Sequence, residues 1–146
     1  MKLYLAHPFD TRNWVRSWEL EVEKRLKIEL LNPFYDVSGR TDIEKIDAGR
    51  RERYEQINPT ELVNRDLQHM RKCDGLVGIV DGSLSYGTIM EIVYAKLYQL
   101  PVFLVVTNKH QKHPWLVYHS TKIFVSLEEF ENYFKDSQNN PGNGSA

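Results

Sequence analysis

Apolar positions along this chain alternate between two rhythms. Short unbroken apolar runs at Lys2–Ala6, Gly75–Val80 and Pro101–Val106 read as strands buried on both faces. Between them the spacing lengthens. Trp14, Trp18, Val22, Leu26 and Leu30 recur every four residues among charged ones, which predicts one apolar stripe on a long helix with Thr11 and Asn13 as capping residues. Lys27–Leu31 also reads as a strand leading into Asn32-Pro33, so that helix is expected to end shortly before residue 27. Asn58-Pro59-Thr60-Glu61 joins an Asn cap, a Pro at the first helical position and a Glu three residues on, and predicts a helix to about Lys72. A further helix is expected from Thr88 to about Tyr98, with Met90, Val93 and Leu97 facing the core. A short strand over Lys122–Val125 follows, then a last helix from the capping box Ser126–Glu129 to about Lys135.

Strands alternating with helices predict an α/β fold. The expected architecture is a single-domain, doubly wound, flavodoxin- or Rossmann-like sheet, mostly parallel and five-stranded, with helices on both faces and right-handed crossovers. In such sheets ligands sit beyond the carboxyl ends of the strands, near the point where strand order reverses. Here those ends are Tyr4–Phe9, Asn32–Tyr35 and Asp81–Gly87. Pro33–Asn58 is charge-rich and has no clean period, so it reads as a functional loop or lid. The terminal SQNNPGNGSA reads as a disordered tail, which gives a catalytic domain over 1–135 and a tail over 136–146.

Composition narrows the classes. Nineteen Lys and Arg against twenty Asp and Glu leave a net charge of −1, which argues against binding of polymeric nucleic acid. The apolar runs fall far short of the roughly 20 residues that span a bilayer, so no membrane partner is expected. No signal peptide is read at the start of the sequence, and the expected location is cytoplasmic. Cys73, the single cysteine, cannot form an intrachain disulfide or hold a metal alone. His110, His113 and His119 fit no standard metal spacing, and Arg50-Arg51-Glu52-Arg53 is most simply a solvated charge run. No metal and no other cofactor is expected.

Two carboxylates look out of place. Asp66 lies between Leu62 and Met70 on the predicted helix, on or beside its core-facing stripe. It is either a solvated or ion-paired residue at the stripe edge, or an acid facing a cleft. Glu91 shares a helix face with Gly87 and Thr88 and points toward the Asp81–Gly87 loop. It is either a surface glutamate favoured by the helix dipole or a member of a site. The loop Asp81 to Thr88 carries two glycines and three Ser or Thr hydroxyls at a strand-to-helix junction. It is either a hydrophilic turn or an anion cradle of backbone N–H groups. His7, at the end of the first strand, reads most simply as a loop histidine with satisfied hydrogen bonds.

Taken in order, Tyr4-Leu5-Ala6-x-Pro8-Phe9, Asn64-Arg65-Asp66-Leu67 and Ser85-x-Gly87-Thr88-x-x-Glu91 resemble the nucleoside 2-deoxyribosyltransferase superfamily, over roughly residues 2–134. The resemblance is nearest to its 2′-deoxynucleoside 5′-phosphate N-hydrolase branch. It implies cleavage of the N-glycosidic bond between a base and a deoxyribose. It implies Glu91 as the nucleophile that attacks C1′, Asp66 as the acid that protonates the departing base, and Tyr4 as the group that orients the nucleophile. Elementary chemistry agrees: an oxocarbenium-like C1′ suits one carboxylate, and a leaving base suits a second that holds a proton.

Nucleoside-using relatives carry an aspartate six residues before the nucleophile, whereas this sequence has Ser85, as the nucleotide hydrolases do. A 5′-monophosphate is therefore expected, held by Ser85, Gly87 and the helix N-terminus. The resemblance further implies that Ser120 reaches the phosphate across a subunit interface in a homodimer or larger homo-oligomer, with Trp115 and Tyr118 as interface aromatics. Arg12 is carried over as added positive charge, although the loop His7–Arg12 departs from the glycine- and arginine-rich loop of those hydrolases. His7, Phe9 and Phe34 are expected at the base, with Tyr35 and Tyr54 as further stacking residues in the Pro33–Tyr54 loop. The alternatives are a base-exchanging transferase and a module that binds a nucleotide without cleaving it.

Overall fold

A computed structural model of the chain describes residues 1–37, 56–83 and 85–139. Its strands are β1 (Lys2–Ala6), β2 (Glu29–Leu31), β3 (Gly75–Val80), β4 (Val102–Val106) and β5 (Lys122–Phe124). Its helices are α1 (Arg12–Arg25), α2 (Pro59–Arg71), α3 (Tyr86–Leu97), α4 (Pro114–His119) and α5 (Leu127–Asn139), with a 3-10 turn at Phe9–Thr11. The sheet order is β2-β1-β3-β4-β5, and every pair is parallel. Strand order thus reverses at β1, which places the expected ligand crevice above β1 and its neighbours β2 and β3. No helix among the described residues is long and apolar enough to cross a membrane.

The pleat divides the core in two. Leu3 and Leu5 point to the face covered by Val15 and Val22 of α1 and Phe130 and Phe134 of α5. Tyr4 and Ala6 point to the other, against Leu67 and Met70 of α2 and Ile92 and Ala95 of α3. The sheet is tightly drawn: a Cβ on Gly75 would stand 2.9 Å from the Pro101 carbonyl oxygen.

Several boundaries and faces differ from the sequence expectation. On α1 the buried face is Val15, Glu19 and Val22, while Trp14 is 42% exposed and Leu30 belongs to β2. A spacing of four overruns the 3.6-residue turn by about 40° per step, so a stripe drawn at that spacing drifts off the core. Thr11 is the helix cap residue but its hydroxyl donates to the Pro8 carbonyl at 3.0 Å instead of capping, and Asn13 lies inside the helix. The strand expected from Lys27 begins at Glu29. Helix α3 starts two residues early because Ser85 caps it. Its core residues are Thr88, Ile92 and Ala95, whereas Met90 is 60% and Leu97 68% exposed. That helix is apolar around most of its circumference, so its pattern does not single out a face. The six residues of α4 were not expected, though His113-Pro114 is its start signal, with the His113 ring accepting the Trp115 N–H. Helix α5 runs to Asn139, so residues 136–139 are helical. The remainder of the expected tail, Tyr54, Arg50 to Arg53 and most of the Pro33–Asn58 loop lie outside the described residues.

The least expected feature is Glu19, fully buried between α1 and the end of β2. Its Oε1 accepts from Asn32 Nδ2 at 2.8 Å and from Arg16 Nη1 at 3.1 Å. Burial outweighs these two bonds and pushes its carboxyl up to about 7.

Two tests follow from this packing. Gly75→Ala is expected to cost about 1–3 kcal/mol, because a backbone oxygen cannot yield to the new methyl; an unchanged urea midpoint would contradict the close approach. Between its unfolded value of 4.5 and about 7, Glu19 is ionised in the unfolded chain and protonated in the folded one. Stability is therefore expected to fall as pH rises through that window and to level off above it, with a loss on the order of 2–3 kcal/mol relative to Glu19→Gln. Parallel stability curves for the two proteins would show that Glu19 does not titrate there.

Candidate active site

Three strand ends and two helices enclose a cavity of about 510 Å³ at the carboxyl edge of the sheet. After β1 the chain contributes His7, Phe9 and Asp10, and after β2 it contributes Pro33 and Phe34. Helix α2 supplies Leu62, Val63, Asp66 and Leu67 to the second wall. The turn after β3 and the start of α3 complete the enclosure with Ser85, Tyr86, Gly87, Thr88, Met90, Glu91 and Tyr94. The volume suits a small organic ligand.

The centre is acidic. Asp66 is half-buried one residue before the core position Leu67, and at that angle its carboxyl turns into the cavity rather than the core. Glu91, also half-buried, enters from α3, one turn after the glycine. Beneath it Tyr4, fully buried in the middle of β1, donates its hydroxyl hydrogen to Glu91 Oε2. A charge-assisted bond from a rigid strand fixes where that carboxylate points.

One end of the cavity is rich in backbone N–H groups. Ser85 Oγ accepts the Thr88 N–H at 3.2 Å and donates to Thr88 Oγ1 at 2.7 Å, so its hydroxyl organises the helix start. The first-turn N–H groups of a helix have no intrahelical acceptor and, with the dipole, suit an anion. Among the described residues, no atom beyond its chain neighbours and its own helix backbone lies within 4 Å of the place a Cβ would take on Gly87, so the backbone there is open to close approach. The other end is aromatic: the Phe34 ring lies 5.0 Å from His7 and 5.5 Å from Phe9, both edge-on.

Most of the residues singled out in the sequence therefore meet. Glu91, Asp66, Ser85, Gly87, His7, Phe9 and Phe34 line one cavity, and Tyr4 reaches it through Glu91. Three do not line it. Tyr35, expected as a stacking residue, instead lies under the Arg16 guanidinium at 4.8 Å. Arg12 stands 4.0 Å over the Phe9 ring and donates to the Phe9 carbonyl at 3.2 Å. Ser120 lies two residues before β5, hence at the amino edge of a parallel sheet, opposite the cavity; its hydroxyl donates to the Val117 carbonyl at 3.2 Å. There it lines a wider hollow of about 920 Å³ with Lys27, Lys96 and Thr121, which has no carboxylate among its described lining residues. The sequence reading missed Asp10, Met90 and Tyr94 on the cavity wall and gave Tyr86, in the Asp81–Gly87 loop, no role. Asp10 lies in the 3-10 turn just past the expected ligand end Tyr4–Phe9, and that position was its signal. Met90 and Tyr94 gave none, since apolar residues on a helix read as core.

No protein-family model matches the chain, and no curated protein matches it by sequence. Solved structures do. A 2-deoxyribosyltransferase from the psychrotolerant bacterium Bacillus psychrosaccharolyticus aligns with a TM-score of 0.69 at 22% identity, over 91% of this chain and 92% of that one. The CMP N-glycosidase BcmB of Clostridium botulinum aligns at 0.59 and 14% identity, over 92% and 98%. A conserved protein from Enterococcus faecalis V583 aligns at 0.58 and 18% identity, over 93% and 98%. The chain thus has the doubly wound fold that a 2-deoxyribosyltransferase and a CMP N-glycosidase share.

Proposed function

We propose that the protein is an enzyme that hydrolyses the N-glycosidic bond of a 2′-deoxynucleoside 5′-monophosphate. The observation that carries this reading is the convergence of Glu91 and Asp66 on one cavity, with the Tyr4 hydroxyl bonded to Glu91. Two structures of the same fold are a deoxyribosyltransferase and an N-glycosidase, and both reactions break the bond between base and sugar.

In the proposed reaction Glu91, oriented by Tyr4, attacks C1′ as the bond to the base breaks. The Asp66 carboxyl gives its proton to the departing base nitrogen. The product of this half is a glycosyl ester on Glu91 and an ionised Asp66. Asp66 then takes a proton from water, whose oxygen attacks C1′ and releases the Glu91 carboxylate. Free base and 2-deoxyribose 5-phosphate leave, with Asp66 protonated again. The phosphate occupies the end formed by Ser85 and the Gly87 N–H, and the base occupies the end formed by His7, Phe9 and Phe34. No step calls for a metal or another cofactor.

The exposed apolar face of α3 and α4, with Leu97, Trp115 and Tyr118 each more than two-thirds exposed, is proposed as the surface of a homo-oligomer. Ser120 follows α4 directly, so a second copy on that face is the route by which it would reach a phosphate. A transferase that passes the deoxyribosyl group to a second base is the other reading, favoured by the higher TM-score of the deoxyribosyltransferase. It shares the glycosyl-Glu91 stage.

The test is incubation with each deoxynucleoside and its 5′-monophosphate, followed by chromatography for free base. Release from monophosphates alone supports the hydrolase, and exchange only with added base supports the transferase. Tight binding without turnover would contradict both. Glu91→Gln is expected to lower kcat by about a thousandfold or more while leaving the circular dichroism unchanged. Tyr4→Phe is expected to cost about 10–100-fold in kcat through loss of one orienting bond. Ser85→Asp should reduce kcat/KM for monophosphates far more than for nucleosides, and equal losses would argue against phosphate at that end.

A further inference from the structure

Behind the aromatic end of the cavity runs a dry polar chain that the proposed reaction does not use. Glu19 and Asn32 are fully buried, and His7 is 2% exposed. The Asn32 amide is its hub. Its Nδ2 donates to Glu19 Oε1 at 2.8 Å, while its Oδ1 accepts the Phe34 N–H at 3.0 Å and faces His7 Nε2 at 3.1 Å. On the far side Arg16 Nη1 stands 3.1 Å from both Glu19 Oε1 and Asp36 Oδ1, and Asp36 Oδ2 accepts the Asn32 backbone N–H at 2.8 Å.

These contacts assign the hydrogens one after another. A backbone N–H can only donate, so the Asn32 atom that meets Phe34 is the amide oxygen. That oxygen can only accept, so His7 Nε2 carries a hydrogen. Nδ1 lies 3.0 Å from the Pro8 carbonyl oxygen, which is an acceptor as well. A charged ring would satisfy both partners, but burial opposes the charge and holds the His7 pKa below its ordinary value. The neutral Nε2–H form is then the one that the amide selects.

Glu19 backs the orientation that the Phe34 N–H sets, because its Oε1 takes a hydrogen of the Asn32 NH₂. A flipped Asn32 would aim its oxygen at Glu19 Oε1 and its NH₂ at both the Phe34 N–H and His7, and the ring would change tautomer to suit. The acid is costly where it stands, because its Oε2 is buried with no hydrogen-bond partner among the described residues. An apolar side chain at position 19 would avoid that cost. What the acid gives in return is the orientation of a group that touches the cavity wall.

We propose that Glu19 and Asn32 are positioning residues for the base end of the site: the buried Glu19 carboxyl, with the Phe34 N–H, sets the amide, and the amide holds His7 in its Nε2–H form with Phe34 against the ring. The inference rests on the reading that a nucleobase occupies that end. It gives the base a wall of His7, Phe9 and Phe34 that is neutral and fixed, which suits stacking of an uncharged heterocycle.

Ring-nitrogen NMR on the full chain tests this without any turnover. At neutral pH the wild type and Glu19→Gln are expected to show His7 as the Nε2–H tautomer, because Gln keeps an acceptor toward Asn32. Glu19→Met, which keeps the bulk and removes the acceptor, is expected to show the Nδ1–H form as well. A wild-type ring protonated on Nδ1 alone, or a Glu19→Met spectrum identical to wild type, would overturn the inference. Should Glu19→Met not fold, Asn32→Ala decides. It removes the acceptor that faces His7 Nε2 and is expected to show the Nδ1–H form beside the Nε2–H form; a spectrum identical to wild type overturns the inference. In turnover of the best-used monophosphate, Glu19→Met is expected to raise KM about tenfold and to change kcat by less than about twofold, and an unchanged KM counts against it. If no nucleotide is turned over, the proposed reaction fails and the ring-nitrogen result alone decides this inference.

Discussion

The hydrogen bond from Tyr4 to Glu91 joins the two parts of the molecule on which everything else depends. Tyr4 belongs to β1, the strand at which sheet order reverses, and it has no freedom because Leu67, Met70 and Ile92 pack in the same core cluster. Glu91 belongs to α3, whose start is set by the Ser85 cap and whose underside is set by Ile92 and Ala95. One bond across 87 residues of sequence therefore aims a carboxylate from a rigid floor. The parallel sheet does the rest. It gathers the ends of β1, β2 and β3 at one edge, so residues far apart in the chain share a single cavity.

Most of this was legible in the sequence, because strands buried on both faces carry a signal that little else imitates. Lys2–Ala6 and Gly75–Val80 fall where their apolar runs do, to the residue. The start of α2 followed from Asn58-Pro59, since capping is local chemistry. What was not legible depends on tertiary direction. The drift of a spacing-four stripe around α1 hid Glu19, and the all-round apolar surface of α3 concealed which of its residues face the sheet. Ser120 shows the limit on the site itself. Its place at the amino edge of β5 follows from strand direction, and within one chain that puts it in a different hollow from Ser85 and Gly87.

Three buried or half-buried acids divide the work by their surroundings. Asp66 and Glu91 stand half-buried at the cavity wall, Glu91 held there by the Tyr4 hydroxyl. Glu19 stands where no ligand reaches, and its cost is offset by Arg16 and Asn32, with one oxygen left over. Polar groups in a dry place specify orientation more than they add stability. The chain from Glu19 through Asn32 to His7 fits that rule, since each hydrogen in it is dictated by its neighbour.

The proposed covalent bond between Glu91 and C1′ is read out by mass spectrometry of the acid-quenched protein. With a deoxynucleoside 5′-monophosphate that is turned over, the peptide containing Glu91 should gain the mass of a deoxyribose 5-phosphate residue, and Glu91→Gln should gain nothing. Turnover with no adduct in rapidly quenched samples, or an adduct on another residue, would contradict the account.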